Sequence, residues 1–452
     1  MKHSEDPRSE SRGKLLHILG VSFGIAGAIG GTIGAGILRT PGVVAAQLGS
    51  AELVILAWIV GGIYALLGAI SVAEVGASLP RSGGWYVYAQ RAYGKPAGFT
   101  VGWMDWLGNC AGLAWVAITI GEYSGALEPS LSEHSQWIAI AVIVFFALIQ
   151  LLGVRAGSGS MQVLSLVKAA AFIALVAACF ILGGESTETV AAHPAVITPT
   201  SAAAFAIAAV FALQAVVTTY DGWYSPIYFA EEFTEPGRDV PRSLIAGVIA
   251  IIAIYVLVNL ALLYVLPLSQ MAASNLPVAD AAQSIFGGFG GQLVTALALV
   301  SLLGLINAVT MGAPRILYGL SRDGLFFQKG EQVSKSGTPV VALLLTTLAA
   351  IFLVLTGTFE RLLSMAAFIY VAIYLTGFIA VFVLRKREPD LLRPYKAWGY
   401  PWTTLIVIVG SILFLIGAAV TDTVNSIYAI LLIAVSYPVY MFTKKFNARG
   451  SR

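Results

Sequence analysis

The chain is a succession of apolar stretches, each long enough to cross a bilayer, and this excludes most folds. A helix needs about 20 consecutive apolar residues to cross a hydrocarbon core about 30 Å thick. Twelve stretches meet that length, near 17–46, 50–78, 98–126, 137–153, 159–184, 203–230, 243–266, 291–318, 339–357, 362–384, 401–420 and 425–442. Backbone polar groups in lipid must be satisfied within the segment, which for runs this long means α-helices. Only 11% of the residues are charged, against roughly 25% in soluble domains, so lipid is the main solvent. The expected fold is an all-α integral membrane protein with 12 transmembrane helices. Short connections imply one membrane domain over 17–442 with no appended soluble module, between a polar tail at 1–16 and another at 443–452.

Charge and composition narrow the function classes. A net charge of +3 with no basic soluble segment gives no reason to expect a nucleic-acid partner. Met1 to Lys14 is polar and lacks the small-residue cleavage pattern of a signal peptide, so it reads as a cytoplasmic tail. Cys110 and Cys179 fall inside apolar runs, which rules out an extracellular disulfide framework. The histidines, His3, His17, His134 and His193, lie outside or at the edges of those runs. Intramembrane haem or metal needs facing histidine or cysteine ligands, so no metal or other cofactor is expected. The same census opposes a membrane-embedded enzyme, because no nucleophile–base or metal set is present. A channel would favour polar stripes on several helices, and these are absent too.

Lysine and arginine set the orientation. With the N-terminus in the cytoplasm, the tail residues Lys2, Arg8, Arg12 and Lys14 share a side with Arg81, Arg91, Lys95, Arg155, Arg238 and Arg242. They also share it with Arg315, Arg322, Lys329, Lys335, the Arg385–Lys396 cluster and the basic C-terminus. Of 26 basic residues only Arg361 falls on the opposite side, with Arg39 and Lys168 inside spans. Both termini are therefore expected in the cytoplasm of a multi-pass protein of the plasma or inner membrane.

Two spans are interrupted. The first carries Gly30-Gly31-Thr32-Ile33-Gly34-Ala35-Gly36-Ile37, four glycines within seven residues. Each glycine costs about 1 kcal/mol relative to alanine in a helix. One reading is close packing through small residues. The other is an unwound segment lining a cavity, whose free amides and helix dipole point at an anion. The sixth span carries Thr218-Thr219-Tyr220-Asp221-Gly222-Trp223 midway along it. An intramembrane aspartate is a functional candidate, although Asp221 at a helix break also serves as a turn cap. Interrupted spans at matching positions of two halves are the mark of an inverted-repeat transporter site. Here the halves are spans one to five (17–184) and six to ten (203–384), with the last two spans (401–442) as extras.

These features resemble the amino acid–polyamine–organocation superfamily, nearest its L-type and bacterial amino-acid permease branches. Gly34-Ala35-Gly36-Ile37 with Arg39-Thr40-Pro41-Gly42 is similar to the family's first-helix signature. Glu74 and Pro80-Arg81-Ser82-Gly83-Gly84-Trp85-Tyr86-Val87-Tyr88 match the end of helix two and its loop, and Gly98-Phe99 with Gly102-Trp103 the start of helix three. Tyr220-Asp221-Gly222-Trp223, Glu231-Glu232 and Pro236 through Arg242 match helix six and its C-terminal loop. Arg315 with Ser321-Arg322-Asp323-Gly324, and Arg393-Pro394-Tyr395-Lys396, match the ends of helices eight and ten.

The resemblance implies the leucine-transporter fold, with a 5+5 inverted repeat, discontinuous helices 1 and 6, and alternating access. It puts the substrate carboxylate against the amides of Gly34, Ala35 and Gly36. The amino group falls against carbonyls of Thr32, Ile33, Thr218 and Thr219, with Tyr220, Asp221, Gly222 and Trp223 completing the second break. Where the family usually has serine this chain has Ala35, which leaves only the backbone donor. Where many relatives have an aromatic gate this chain has Thr218. Trp85, Tyr86 and Tyr88 are expected at the cytoplasmic interface, where aromatics concentrate. Arg39 is expected to snorkel outward, and Glu231 and Glu232 to pair with loop arginines.

Lys168 lies about nine residues in from the cytoplasmic end of span five, roughly 14 Å deep at 1.5 Å per residue. That is near the middle of the core, beyond easy snorkelling. Such an ammonium either finds oxygen partners or gives up its proton. In several relatives a helix-five lysine stands where sodium sits in sodium-coupled cousins, and Val163 through Lys168 fits that position. The expected function is sodium-independent secondary transport of amino acids, with neutral side chains favoured because Asp221 is the only clear carboxylate at mid-membrane. Coupling is by exchange or by protons. A polyamine carrier of the same fold is the alternative, and would want several pocket carboxylates. L-type relatives in animals join a single-span glycoprotein through a cysteine in the loop after helix three. The corresponding loop here, Leu127 to Gln136, has no cysteine, so no disulfide-linked subunit is expected. The partners are then a small amino acid and the bilayer.

Overall fold

The computed structural model describes residues 14–184 and 201–450. The tail residues up to Arg12, together with His3, His193 and Arg452, lie outside that range. The first apolar run folds as two helices, α1 (Val21–Thr32) and α2 (Gly36–Leu48), bent by 54° at the break between them. Then come α3 (Ala51–Ser78), the short α4 (Trp85–Tyr93), α5 (Lys95–Leu127), α6 (Ser135–Leu151) and α7 (Val154–Leu182). After the undescribed connection, α8 (Ala202–Thr219) stops at the polar run, and the chain turns into a 3-10 segment, Ser225–Glu232. The remainder is α9 (Pro236–Val265), α10 (Leu268–Ala273), α11 (Pro277–Phe286), α12 (Gly290–Arg322), α13 (Val340–Thr356), α14 (Phe359–Arg387), α15 (Trp402–Thr421) and α16 (Thr423–Gly450).

Among the described residues ten helices are long and apolar enough to cross a membrane, and the bent α1–α2 pair makes an eleventh. The shorter α13 is apolar as well. No strand forms among the described residues beyond isolated bridges. The link between α9 and α12 folds into α10 and α11, which pack on α2. α16 runs on through the basic C-terminal segment to Gly450.

The aromatic expectation for Trp85, Tyr86 and Tyr88 is corrected. All three are fully buried in the protein. Gly83 and Gly84, at φ of 119° and 69°, turn the chain inward just before them. Gly377 on α14 then leaves room for the Trp85 ring, since a Cβ there would lie 2.5 Å from it. The interior is built around α5 and α12, which pack on each other, with α3 and α1 both packing on α9. Arg39 is exposed on the surface of α2.

Candidate functional site

The α1–α2 break falls at Ile33–Ala35. Ile33 leaves helical geometry (φ −75°, ψ 101°), and its N–H makes the last bond of α1, to the Ile29 carbonyl at 3.0 Å. α2 restarts at Gly36, so the amides of its first turn lack carbonyls four residues back. The second break begins where α8 ends at Thr219, and Gly222 there adopts φ +100°. The two breaks approach each other closely. A Cβ on Gly36 would stand 3.1 Å from the Thr219 methyl, and one on Gly31 would stand 3.2 Å from the Gly222 carbonyl.

Several side chains brace the breaks. The Tyr255 hydroxyl on α9 lies within donating distance of both the Thr32 and Thr219 carbonyls, at 3.1 Å each. The hydroxyls of Thr40 and Thr219 meet at 2.7 Å. Lys168 on α7 is fully buried, and its Nζ donates to the Gly30 carbonyl at 3.1 Å and the Ile33 carbonyl at 2.5 Å. Ser165, one turn earlier, donates to the Ala26 carbonyl at 2.7 Å. The lysine therefore sits behind the first break, against the carbonyls that the break frees.

A cavity of about 720 Å³ lies on the other side of the breaks. Thr32, Gly34, Ala35, Gly36, Thr218, Thr219, Asp221 and Gly222 line it. Asn109, Tyr228, Tyr370 and Tyr374 form the facing wall. It extends past Gln214 of α8 to Gln47 and Asp422, at helix ends remote from the tails. Three of the expected residues do not line it. Ile33 is fully buried with its carbonyl on Lys168. Tyr220 turns away and donates to the Trp58 carbonyl at 3.1 Å. Trp223 packs its ring against Trp85, with centroids 6.2 Å apart.

The opposite end is shut by aromatic rings and ion pairs. Trp85 packs on Tyr374 at 5.1 Å and Tyr224 at 5.4 Å, and Tyr374 donates to Asp221. Beyond them Glu232 holds Arg315 through two bonds at 2.5 and 2.9 Å. Glu231 holds Arg322 at 2.6 Å, and Asp323 holds Arg81 at 2.5 Å. Arg315 is a buried residue of α12 and not a loop arginine, which corrects that part of the expectation. The main chain of Leu19 also clasps this end, bonding to the Glu232 and Thr234 main chain at 2.9 Å each.

Asp221 is not the only carboxylate in the interior. Asp105 on α5 is fully buried, and its Oδ1 accepts from Tyr228 at 2.8 Å and from Asn109 at 3.0 Å. It lies within the third apolar run, so its signal was present in the sequence. It stands behind Tyr228 and Asn109, not on the cavity wall.

The arrangement defines a multi-pass helical membrane protein with a central cavity walled by two interrupted helices. The model of the amino acid permease family matches residues 17–441, and the chain belongs to that family, within the amino acid–polyamine–organocation superfamily. It is a permease, not an enzyme. The serine/threonine exchanger SteT of Bacillus subtilis (strain 168) is 30% identical, covering 95% of this chain and 97% of the exchanger. The b(0,+)-type amino acid transporter 1 of Mus musculus is 26% identical over 92% of this chain and 85% of its own length. The large neutral amino acids transporter small subunit 2 of Mus musculus is 26% identical over 81% and 70%.

Proposed function

We propose that this permease carries neutral L-amino acids by sodium-independent alternating access, exchanging one amino acid for another. The observation that carries the reading is the pairing of opposite polarities across one cavity. The α2 N-terminus presents the amides of Gly34, Ala35 and Gly36. Thr32, Thr218, Thr219 and Asp221 present oxygens beside them. An α-amino acid is an anion and a cation joined through a single carbon, and a surface with donors and acceptors side by side suits that pairing. The Thr32 and Thr219 carbonyls each accept from Tyr255, but a carbonyl has two lone pairs, so both remain available to an ammonium. Among the described residues Asp221 is the one interior carboxylate on the wall, with Asp422 at the far rim. A polyamine with several ammonium groups is poorly matched.

The bent α1–α2 pair, the ten long helices and α13 together read as twelve spans, in two five-span repeats plus two. With both termini in the cytoplasm, the cavity faces outward and the ion pairs close the cytoplasmic side. Lys168 then stands as a fixed cation in place of sodium, bracing the first break. Cys110 and Cys179 are both buried and unpaired, which supports function without a disulfide-linked subunit. Counterflow of labelled neutral amino acids in proteoliposomes containing this chain alone tests the reading. Uptake that requires sodium, or that survives unchanged in Lys168→Ala, would overturn it. Accumulation driven by a pH gradient without counter-substrate would replace exchange with proton symport.

A further inference from the structure

The Lys168 side chain runs in a slot with glycine on both walls. On one side is the α1 break, whose Gly30 and Ile33 carbonyls accept from Nζ at 3.1 and 2.5 Å. On the other is Gly304 of α12, where a Cβ would lie 2.9 Å from the lysine Cε and 3.0 Å from Nζ. Optimal carbon contacts are about 3.5–4.0 Å. The next neighbour of that Cβ, on Leu164, would be at an ordinary 3.8 Å. The lysine end is therefore what a side chain at 304 would strike.

We infer that Gly304 is the positioning residue for Lys168, and that the missing Cβ on α12 sets where the ammonium meets the first break. The ammonium is already bonded to two carbonyls of the break on the side away from α12, so a Cβ at 304 displaces it from that position. The displaced atoms are the tip of a flexible chain, which moves at little cost to the backbone packing of α12. A displacement of about 1 Å takes a hydrogen bond of roughly 3 Å beyond its useful range. Gly304 thus links α12 to the geometry of the first break through a side chain that belongs to α7.

The inference rests on the role given to Lys168 above, and two separate readouts keep them apart. Gly304→Ala is compared with wild type, Lys168→Ala and the double variant, with Gly291→Ala on the same helix as control. A Cβ at Gly291 meets nothing within 4 Å. Exchange in proteoliposomes is expected to fall about tenfold or more in Gly304→Ala and to be unchanged in Gly291→Ala. The unfolding midpoint in detergent is expected to fall in Gly304→Ala, and the same substitution is expected to cost nothing further in the Lys168→Ala background. Such non-additivity is the signature of two side chains in contact. Equal midpoint losses in both backgrounds, or wild-type exchange in Gly304→Ala, would overturn the inference. Full exchange in Lys168→Ala would instead remove the lysine from the transport cycle, while the midpoint comparison still reads the contact itself.

Discussion

Gly222 and Gly31 meet backbone to backbone at the centre of the molecule. A Cβ on Gly222 would lie 2.2 Å from the Gly31 carbonyl oxygen, and Gly222 already sits at φ +100°, where side chains are strained. The two interrupted helices are thus held together where neither has a side chain. Gly222→Ala is expected to part the breaks. It should abolish counterflow and lower the unfolding midpoint, because both the overlap and the left-handed backbone oppose it. Gly159→Ala, where a Cβ meets nothing within 4 Å, is the matched control.

Tyr255 supplies the one side-chain hydroxyl, among the described residues, that reaches both breaks. Its ring is held independently, packed on Trp58 at 5.4 Å and Tyr220 at 5.0 Å. Tyr255→Phe therefore keeps the packing and removes only the donor. Leaving buried acceptors without their partner costs about 1–3 kcal/mol. Protein yield and monodispersity are expected to match wild type, while exchange weakens by about tenfold, read as a rise in KM or a fall in maximal rate. Wild-type exchange in Tyr255→Phe would show that the two carbonyls need no clasp.

Local signals in the chain are legible, and long-range ones are not. The first break is readable because four glycines within seven residues cannot hold a membrane helix without cause, and the bend falls among them. The depth of Lys168 can be counted from the end of its span. Tyr255 cannot be singled out, since a tyrosine in an apolar run looks the same whether it packs or donates. Its partners lie 223 and 36 residues away in sequence. Asp105 is visible as a carboxylate in an apolar run, but its partner Tyr228 lies 123 residues on. Trp85 departs from expectation for a related reason. Aromatics near a span end suit the interface, and only the turn at Gly83–Gly84 and the gap at Gly377 send that ring inward.

Thr218 is exposed to the cavity at the end of α8, and its hydroxyl is spent on the Gln214 carbonyl at 2.8 Å. It therefore contributes space more than polarity. Thr218→Trp is expected to fill part of the cavity without touching the clasp between the breaks. The ranking of neutral amino acids in counterflow should shift toward smaller side chains, with folding retained. An unchanged ranking from alanine-sized to leucine-sized substrates would remove Thr218 from the substrate's surroundings.

The side on which the cavity opens fixes the direction of the cycle, and two exposed positions test it. Ser132 lies in the 3-10 turn between α5 and α6, at the end of the molecule remote from the tails. Lys335 lies in the connection between α12 and α13, at the end where the ion pairs gather. The native cysteines Cys110 and Cys179 are buried, so their background labelling by a charged maleimide should be low. A cysteine at Ser132 is expected to react in intact cells, and one at Lys335 only after the membrane is opened. The reverse pattern would invert the molecule and make this an inward-open arrangement, with the Glu232–Arg315 pair closing the outer face. Labelling of Gln47→Cys adds the conformational half of the test. Gln47 lines the open end of the cavity, so it should react from the same side as Ser132 and be protected by excess substrate. Protection without competition at Ser132 would tie occupancy of the cavity to closure of that end.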